Sequence, residues 1–298
     1  MEDSSRYKII SDPSSDDVKE FQQGLESYNL KKTNSEFNSP QPWHNLVLKD
    51  QEGTVIGGIS TSTLYWTQYL EVLWVDEKQR GHGYGKDLVL EAQRLAKDIG
   101  CISSHVYTFS WQAPDFYQAV GYDLLVTYDG YHGGIKEHIL MTRFDSTKIN
   151  TTSNAEKAGF TIISDPTEEE LKIVRTGLGM NFNKHVQDVM KKHPHTDYCS
   201  VIKSNGGKVI GGISGYTTLG ILNIAEFWVD ENCSGLGYGK NLLIHAETLA
   251  KQRRCVAGQI ACFSFQNLEF LKRQGYEILG FSDAYPNDVK EYYLTKKF

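Results

Sequence analysis

The sequence is short of the features that mark several protein classes. Its five cysteines, Cys101, Cys199, Cys233, Cys255 and Cys262, are odd in number and form no CxxC pair. That argues against a disulfide scaffold or a zinc ribbon, and for free thiols in a reducing compartment. No run approaches the roughly 18 consecutive apolar residues of a membrane-spanning helix, so no membrane partner is expected. The first residues, MEDSSRYK, lack a basic start followed by an apolar stretch, so no secretory signal is read and the expected location is cytoplasmic. A cationic excess is also missing. Lys and Arg number 31 against 37 Asp and Glu, and the net charge of −6 gives nucleic acid no electrostatic hold. His185, His193 and His195 cluster around Pro194 without a ligand spacing, and no metal is expected.

What is present is a duplication. IISDP occurs at 9–13 and again at 162–166, and GGIS at 57–60 and 211–214. WVDEKQRGHGYGK (74–86) returns as WVDENCSGLGYGK (228–240), and FYQAVGY (116–122) as FLKRQGY (270–276). The spacing changes by one residue over the whole length, which implies a duplicated domain with its fold retained rather than a short solenoid repeat. The expected modules are 1–145 and 159–298, joined by a polar linker at 146–158. Each reads as an α/β unit in the same order. A short strand leads to a helix, the second copy with Thr167 and Glu170 spaced as a capping box. Three strands follow, then a glycine loop opening an amphipathic helix with Leu88, Ala92, Leu95 and Ile99 on one stripe (Leu242, Ala246 and Leu249 in the second copy). A strand, a short helix and two strands finish each copy.

Gly81, Gly83 and Gly85, and likewise Gly235, Gly237 and Gly239, lie between a buried-looking strand and that helix. Backbone N–H groups free of Cβ interference, together with the positive end of the helix dipole, make an anion site suited to phosphate or pyrophosphate. A P-loop would need Ser or Thr after its lysine, but Asp87 follows Lys86 and Asn241 follows Lys240. A dinucleotide fingerprint would read GxGxxG near the first strand, whereas the spacing here is GxGxG and several elements come earlier. A purely structural turn is the remaining reading of the loop alone.

Arg80-Gly-His-Gly-Tyr-Gly85 fits an R/QxxGxG signature and resembles the GNAT superfamily of N-acetyltransferases, here in a tandem two-domain form. TFSWQAPDFYQAVGYDLL (108–125) and CFSFQNLEFLKRQGYEIL (262–279) resemble the strand, short helix and strand that complete that fold. The resemblance covers nearly the whole chain, once per half. It implies two domains, each a mixed, splayed central sheet flanked by helices, with acetyl-coenzyme A as cosubstrate and its pantetheine arm between the splayed strands. The coenzyme site would comprise Val75, Arg80, Gly81, His82, Gly83, Tyr84, Gly85 and Lys86, and in the second copy Gly235, Gly237, Gly239 and Lys240. Tyr117, four residues before Gly121, would be the proton donor to the leaving thiolate, and Glu71 the base toward a small-molecule or peptide amine. Asp129, Tyr131 and Glu137 are further candidates for contacting the amine, or else exposed loop polarity. Glu231 and its counterpart Glu77 read as solvated loop charges.

The second copy departs from the pattern. Ser234 stands for Arg80, Ala225 for Glu71 and Leu271 for Tyr117, while the glycines and the lysine remain. Two outcomes fit: coenzyme binding without turnover or a packing role, or else activity through another donor or water. A noncatalytic coenzyme A-binding or regulatory protein is the alternative for the whole chain. The halves are expected to pair as an intramolecular pseudo-dimer, whose interface duplication does not disclose.

Overall fold

A computed structural model describes residues 7–33, 42–144 and 154–298. Residues 145–153 of the expected linker region lie outside them. The first module supplies β1 (Tyr7–Ser11), α1 (Ser15–Lys32), β2 (His44–Lys49), β3 (Val55–Leu64), β4 (Thr67–Val75), α2 (Tyr84–Asp98), β5 (Ser103–Phe109), α3 (Pro114–Ala119), β6 (Asp123–Tyr128) and β7 (Glu137–Arg143). A short helix α4 (Asn154–Lys157) precedes the second set. This runs β8 (Thr161–Ser164), α5 (Glu168–Lys192), β9 (Thr196–Ser204), β10 (Val209–Thr218), β11 (Ile221–Val229), α6 (Tyr238–Gln252), β12 (Ala257–Phe263), α7 (Leu268–Arg273), β13 (Glu277–Ser282) and β14 (Glu291–Lys297). The capping box forms as the spacing predicts. Thr167 Oγ1 accepts from the Glu170 N–H at 3.3 Å, and the Glu170 carboxylate accepts from the Thr167 N–H at 2.8 Å. On α2 the fully buried stripe is Leu88, Val89, Ala92 and Ala96, with Leu95 and Ile99 at its margin.

The two seven-stranded sheets have orders β6-β7-β5-β4-β3-β2-β8 and β13-β14-β12-β11-β10-β9-β1. The sequence modules are therefore not the units of the sheets. β1 pairs with β9 of the second half, and β8 pairs with β2 of the first. The helices travel with their strands: α1 packs on β9, β10 and β11, and α5 on β2, β3 and β4. Each half thus gives its opening strand and helix to the other half's sheet.

The repeated glycines show why the helices seat so closely. A β-carbon on Gly58 would lie 2.6 Å from Val174 Cγ2, and one on Gly177 would lie 2.2 Å from Trp74 Cε2. Bare backbone at both places lets α5 sink onto the first sheet. Gly212 against Phe21, and Gly24 against Trp228, do the same for α1 on the second. Asp87, buried at the start of α2, accepts from the Ala155 N–H at 2.7 Å and so anchors the chain just before β8.

The halves also share a core. Val126, Tyr128, Ile139 and Tyr131 of the first pack with Val186, Leu219, Ile221, Ala257 and Tyr293 of the second. At one edge Gly280 of β13 abuts Val126 and the Leu125 carbonyl of β6. Among the described residues no helix is long and apolar enough to cross a membrane, and no group of three or more His, Cys, Asp or Glu stands together as a metal site.

Candidate active site

β4 and β5 run parallel, but they pair only from Thr67 and Ser103 to Leu70 and Val106. Beyond that point both strands continue without bonding to each other. The cause is local to β4. Ser60 pairs with Val72 and Thr61 with Leu70, so Glu71 is an extra residue in the ladder. A bulge of this kind bends its strand and re-aims a side chain. The parted strand ends enclose a cavity of about 490 Å³. β4 lines it with Leu70, Glu71, Leu73, Trp74 and Val75, β5 with Val106, Tyr107 and Thr108, and α3 with Phe116 and Tyr117.

Most of the residues singled out in the sequence converge there. Arg80, Gly81, Gly83, Tyr84, Gly85 and Lys86 line the same cavity as Val75, Glu71 and Tyr117. His82 is not among the lining residues. Its ring stacks on Tyr84, and its Nδ1 lies 3.2 Å from the Gln79 carbonyl. Gly83 is the N-cap of α2 with φ of 88°, and no side chain caps that end. The first N–H donors of the helix thus face the cavity mouth, where the dipole is positive. Arg80 folds back so that its Nε donates to the Val75 carbonyl at 3.0 Å, which keeps its cation beside the loop. Backbone donors, two cations and a parted strand pair fit acetyl-coenzyme A, whose pyrophosphate needs the first two and whose pantetheine arm needs the third.

Tyr117 is 8% exposed and packs edge-on against Phe116 and Tyr122. Burial, and secondarily the Tyr122 phenol, push its pKa well above that of an ordinary tyrosine, so the phenol stays protonated at neutral pH. Glu71 is exposed and accepts a 2.6 Å hydrogen bond from Ser62 Oγ. Tyr131 and Glu137 are not exposed loop polarity. The Tyr131 hydroxyl donates to the Glu137 carboxylate at 2.6 Å, and Gln259 Nε2 of the second half donates to both groups, tying them into the junction between halves. Asp129 stays exposed.

Sequence reasoning missed Leu178 and Asn181, which line the cavity from α5. They lie in the second module, and only the exchange of helices brings them here. Trp74, Tyr107 and Phe116 were also missed, since their aromatic character fits an ordinary core equally well.

The matching place in the second sheet is nearly closed. β11 and β12 pair from Ile221 and Ala257 to Ile224 and Ile260, then part as β4 and β5 do. The Glu71 counterpart, Ala225, occupies the bulge. The parted ends enclose only about 50 Å³, in a cavity that Gly235, Gly237, Gly239 and Lys240 do not line. Phe227, standing where the first copy has Leu73, stacks on Phe270 at 5.7 Å, and both rings reach Gly239. Leu271 is 1% exposed. Glu231 is not simply solvated. Lys31 and Lys32 at the end of α1 bind its carboxylate at 2.7 and 2.8 Å, and their hydrogen bonds pull its pKa down to about 2.

Comparison with known proteins agrees with this geometry. The acetyltransferase (GNAT) family matches the chain twice, over residues 7–122 and 167–276. The blasticidin-S acetyltransferase of Streptomyces morookaense is 38% identical over 92 residues, which are 30% of this chain and 68% of that protein. An acetyltransferase of Agrobacterium fabrum is 27% identical over 78 residues, 26% of this chain and 57% of its own. Among solved structures, an acetyltransferase from Bacillus cereus ATCC 14579 aligns at 29% identity with a TM-score of 0.43, covering 46% of this chain and 96% of that one. With both halves matched, the chain belongs to the acetyltransferase (GNAT) family and is an acetyl-coenzyme A-dependent acetyltransferase built from two such modules.

Proposed function

We propose that the cleft between β4 and β5 transfers acetyl from acetyl-coenzyme A directly to a primary amine on a small polar molecule. The amine nitrogen forms the new C–N bond and the thioester C–S bond breaks. One amine proton leaves through Glu71, directly or through water, and the Tyr117 hydroxyl delivers a proton to the departing sulfur. The observation that carries the reading is Tyr117 itself, a buried and protonated phenol on the wall of an open cleft that also holds the glycine loop. A donor to a thiolate must be protonated at working pH, as a phenol is, and burial only strengthens that state here. Glu71 is suited to accept a proton because it lies at the bulge on the wall of the cleft and its hydrogen-bond partner among the described residues is a neutral hydroxyl.

The halves act, in this proposal, as one intramolecular pair in which the second sheet is a scaffold. Its cleft has Leu271 and Ala225 in place of Tyr117 and Glu71, and Phe227, standing where the first copy has Leu73, lines what is left of it.

The name of the Streptomyces relative makes blasticidin S the first acceptor to try. Release of coenzyme A thiol is followed for blasticidin S and for spermidine, with acetyl-coenzyme A affinity measured separately by calorimetry. For Tyr117→Phe we expect kcat to fall by about 10²-fold, within the range of a single acid–base group, and acetyl-coenzyme A binding to persist. An unchanged kcat removes Tyr117 as the acid. Coenzyme binding without transfer to any amine favours a binding protein instead.

A further inference from the structure

The helix that covers the open cleft belongs to the other half of the chain, and that arrangement assigns one residue a role. Leu178 and Asn181 of α5 line the 490 Å³ cavity beside Glu71 and Tyr107. On the second sheet the equivalent positions of α1 are Leu25 and Tyr28, and both line the 50 Å³ remnant. The leucines match, so the difference lies at 181 and 28. Tyr28 projects a phenol whose hydroxyl donates to the Phe265 carbonyl at 3.4 Å, while neighbouring Asn29 accepts from Gln266 Nε2 at 3.0 Å. Those bonds fasten the aromatic side of α1 across the segment after β12.

The first cleft has no such fastening at this position. Among the described residues, the hydrogen bonds of Asn181 involve its backbone, whose carbonyl lies 2.9 Å from His185 Nδ1. Its carboxamide is left with donors and an acceptor toward the cavity. The helix is nonetheless held firmly on both sides of this residue. Gly177 rests on Trp74, Phe182 packs edge-on against Phe109 and Trp111, and His185 stacks on Trp111 at 4.8 Å. A free carboxamide on a fixed helix at the wall of an open cleft is arranged for a ligand rather than for the fold.

We propose that Asn181, supplied by the second half, is the acceptor-positioning residue of the first half's transfer site, and that the size of its side chain keeps the cleft open. The inference rests on reading this cleft as the transfer site. The acceptor it suits carries a hydrogen-bonding group, such as a hydroxyl, amide or second amine, beside the nitrogen that is acetylated. The carboxamide oxygen accepts from an N–H or O–H, and its NH₂ donates to a carbonyl or hydroxyl.

The test uses the full chain with Asn181→Leu, which keeps the branched shape of the side chain and removes the polar group, and Asn181→Tyr, which copies the closed site. For blasticidin S or spermidine, whichever the unaltered chain acetylates, Asn181→Leu should raise the acceptor KM about 10-fold, within the range for a polar group left without its partner. Its kcat should change little, and the Kd for acetyl-coenzyme A should stay within about twofold of the unaltered chain. Asn181→Tyr should lose transfer about 100-fold or more, and its crystal structure should show the ring in the cleft and most of the 490 Å³ gone. An unchanged acceptor KM in Asn181→Leu, or an open cleft in Asn181→Tyr, overturns the proposal. If the unaltered chain acetylates neither amine, the transfer reading is what fails, and the crystal structure of Asn181→Tyr alone decides the gating.

Discussion

Replacing Gly177 by alanine tests the contact that seats α5 over the active cleft. A β-carbon there would lie 2.2 Å from Trp74 Cε2 and 2.5 Å from its Nε1, far inside van der Waals contact. Trp74 is held in β4, so either the indole or the helix must move. Gly179, two residues further along the same helix, is a built-in control, because a β-carbon at that position meets nothing within 4 Å. Both substitutions gain helix propensity of about 1 kcal/mol, since both lie inside α5. Only Gly177→Ala adds overpacking, about 1–3 kcal/mol. Gly179→Ala is therefore expected to be more stable than the unaltered chain, and Gly177→Ala to fall below Gly179→Ala by the overpacking alone. Taking about 2 kcal/mol for that difference, and about 2–4 °C per kcal/mol for domains approaching this size, the gap in Tm is about 4–8 °C. Scanning calorimetry of the two variants measures it. Trp74 also lines the cavity, so Gly177→Ala should slow acetyl transfer as well. Equal Tm shifts in the two variants would refute the close seating of α5 on Trp74.

The exchange of helices makes a prediction of its own. Lys49 pairs with Glu170, and Lys203 with Asp17 at 2.6 Å, each bond joining a helix of one half to a strand of the other. Without exchange the partners would be Lys49 with Asp17 and Lys203 with Glu170. Lys49→Glu and Glu170→Lys should each lower the urea midpoint, and the double variant should recover it. A double variant less stable than either single would mean that the helices cover their own sheets. A further expectation concerns pH. His105 is buried with Nε2 2.8 Å from Ser282 Oγ, and burial, with a smaller contribution from Arg143, holds its pKa down at about 3. A depressed histidine binds fewer protons folded than unfolded. Its contribution to stability is therefore full above about pH 6.5 and is lost as pH falls toward 3, by up to about 1.4 kcal/mol per pH unit. The stability advantage of the unaltered chain over His105→Gln should shrink across that window. A difference that stays constant with pH would contradict a neutral buried imidazole.

The glycine loop, the amphipathic helix and the convergence of Arg80, Glu71 and Tyr117 were legible because each depends on local pattern. A strand followed by GxGxG and an apolar stripe leaves little choice of geometry, and residues at the ends of β4 and in α3 then fall beside the loop. The exchange was not legible, and the duplication is the reason. IISDP occurs in both halves, GGIS offers the same bare backbone in both sheets, and Gly24 and Gly177 meet equivalent tryptophans. Every short-range preference is met equally whether β1 and α1 cover their own sheet or the other. The choice depends on the path of the connecting segments, which periodicity does not encode. Leu178 and Asn181 were invisible at the site for the same reason. Tyr131 and Glu137 were misplaced because a polar, glycine-containing segment reads as an exposed loop unless the surface it folds against is known.

The duplicated loops also bear on how a retained motif is interpreted. Three glycines kept in the second copy are open, in the sequence alone, to a coenzyme site or to a packing role. The fold supplies a sufficient reason without any ligand. Gly237 is the N-cap of α6 with φ of 81°, a conformation costly for most other residues, and Gly235 has φ of 78°. A β-carbon on Gly239 would press on Phe227 and Phe270 at 3.3 and 3.5 Å. The first two serve the turn from β11 into α6, and the third lets the helix lie close to the two rings, even in a sheet that binds nothing. The positions that distinguish a working cleft are those the fold leaves free to vary. At 73 and 227, 117 and 271, and 181 and 28, the first cleft has leucine, tyrosine and asparagine, and the second cleft has phenylalanine, leucine and tyrosine. The first and third of these changes each add a ring to the second cleft, and the middle one removes its only candidate acid at that position. They lie on a strand, a short helix and an exchanged helix, yet all act in the same direction. That agreement argues for one active cleft with a second sheet that supports it, more strongly than the shared glycines argue for two.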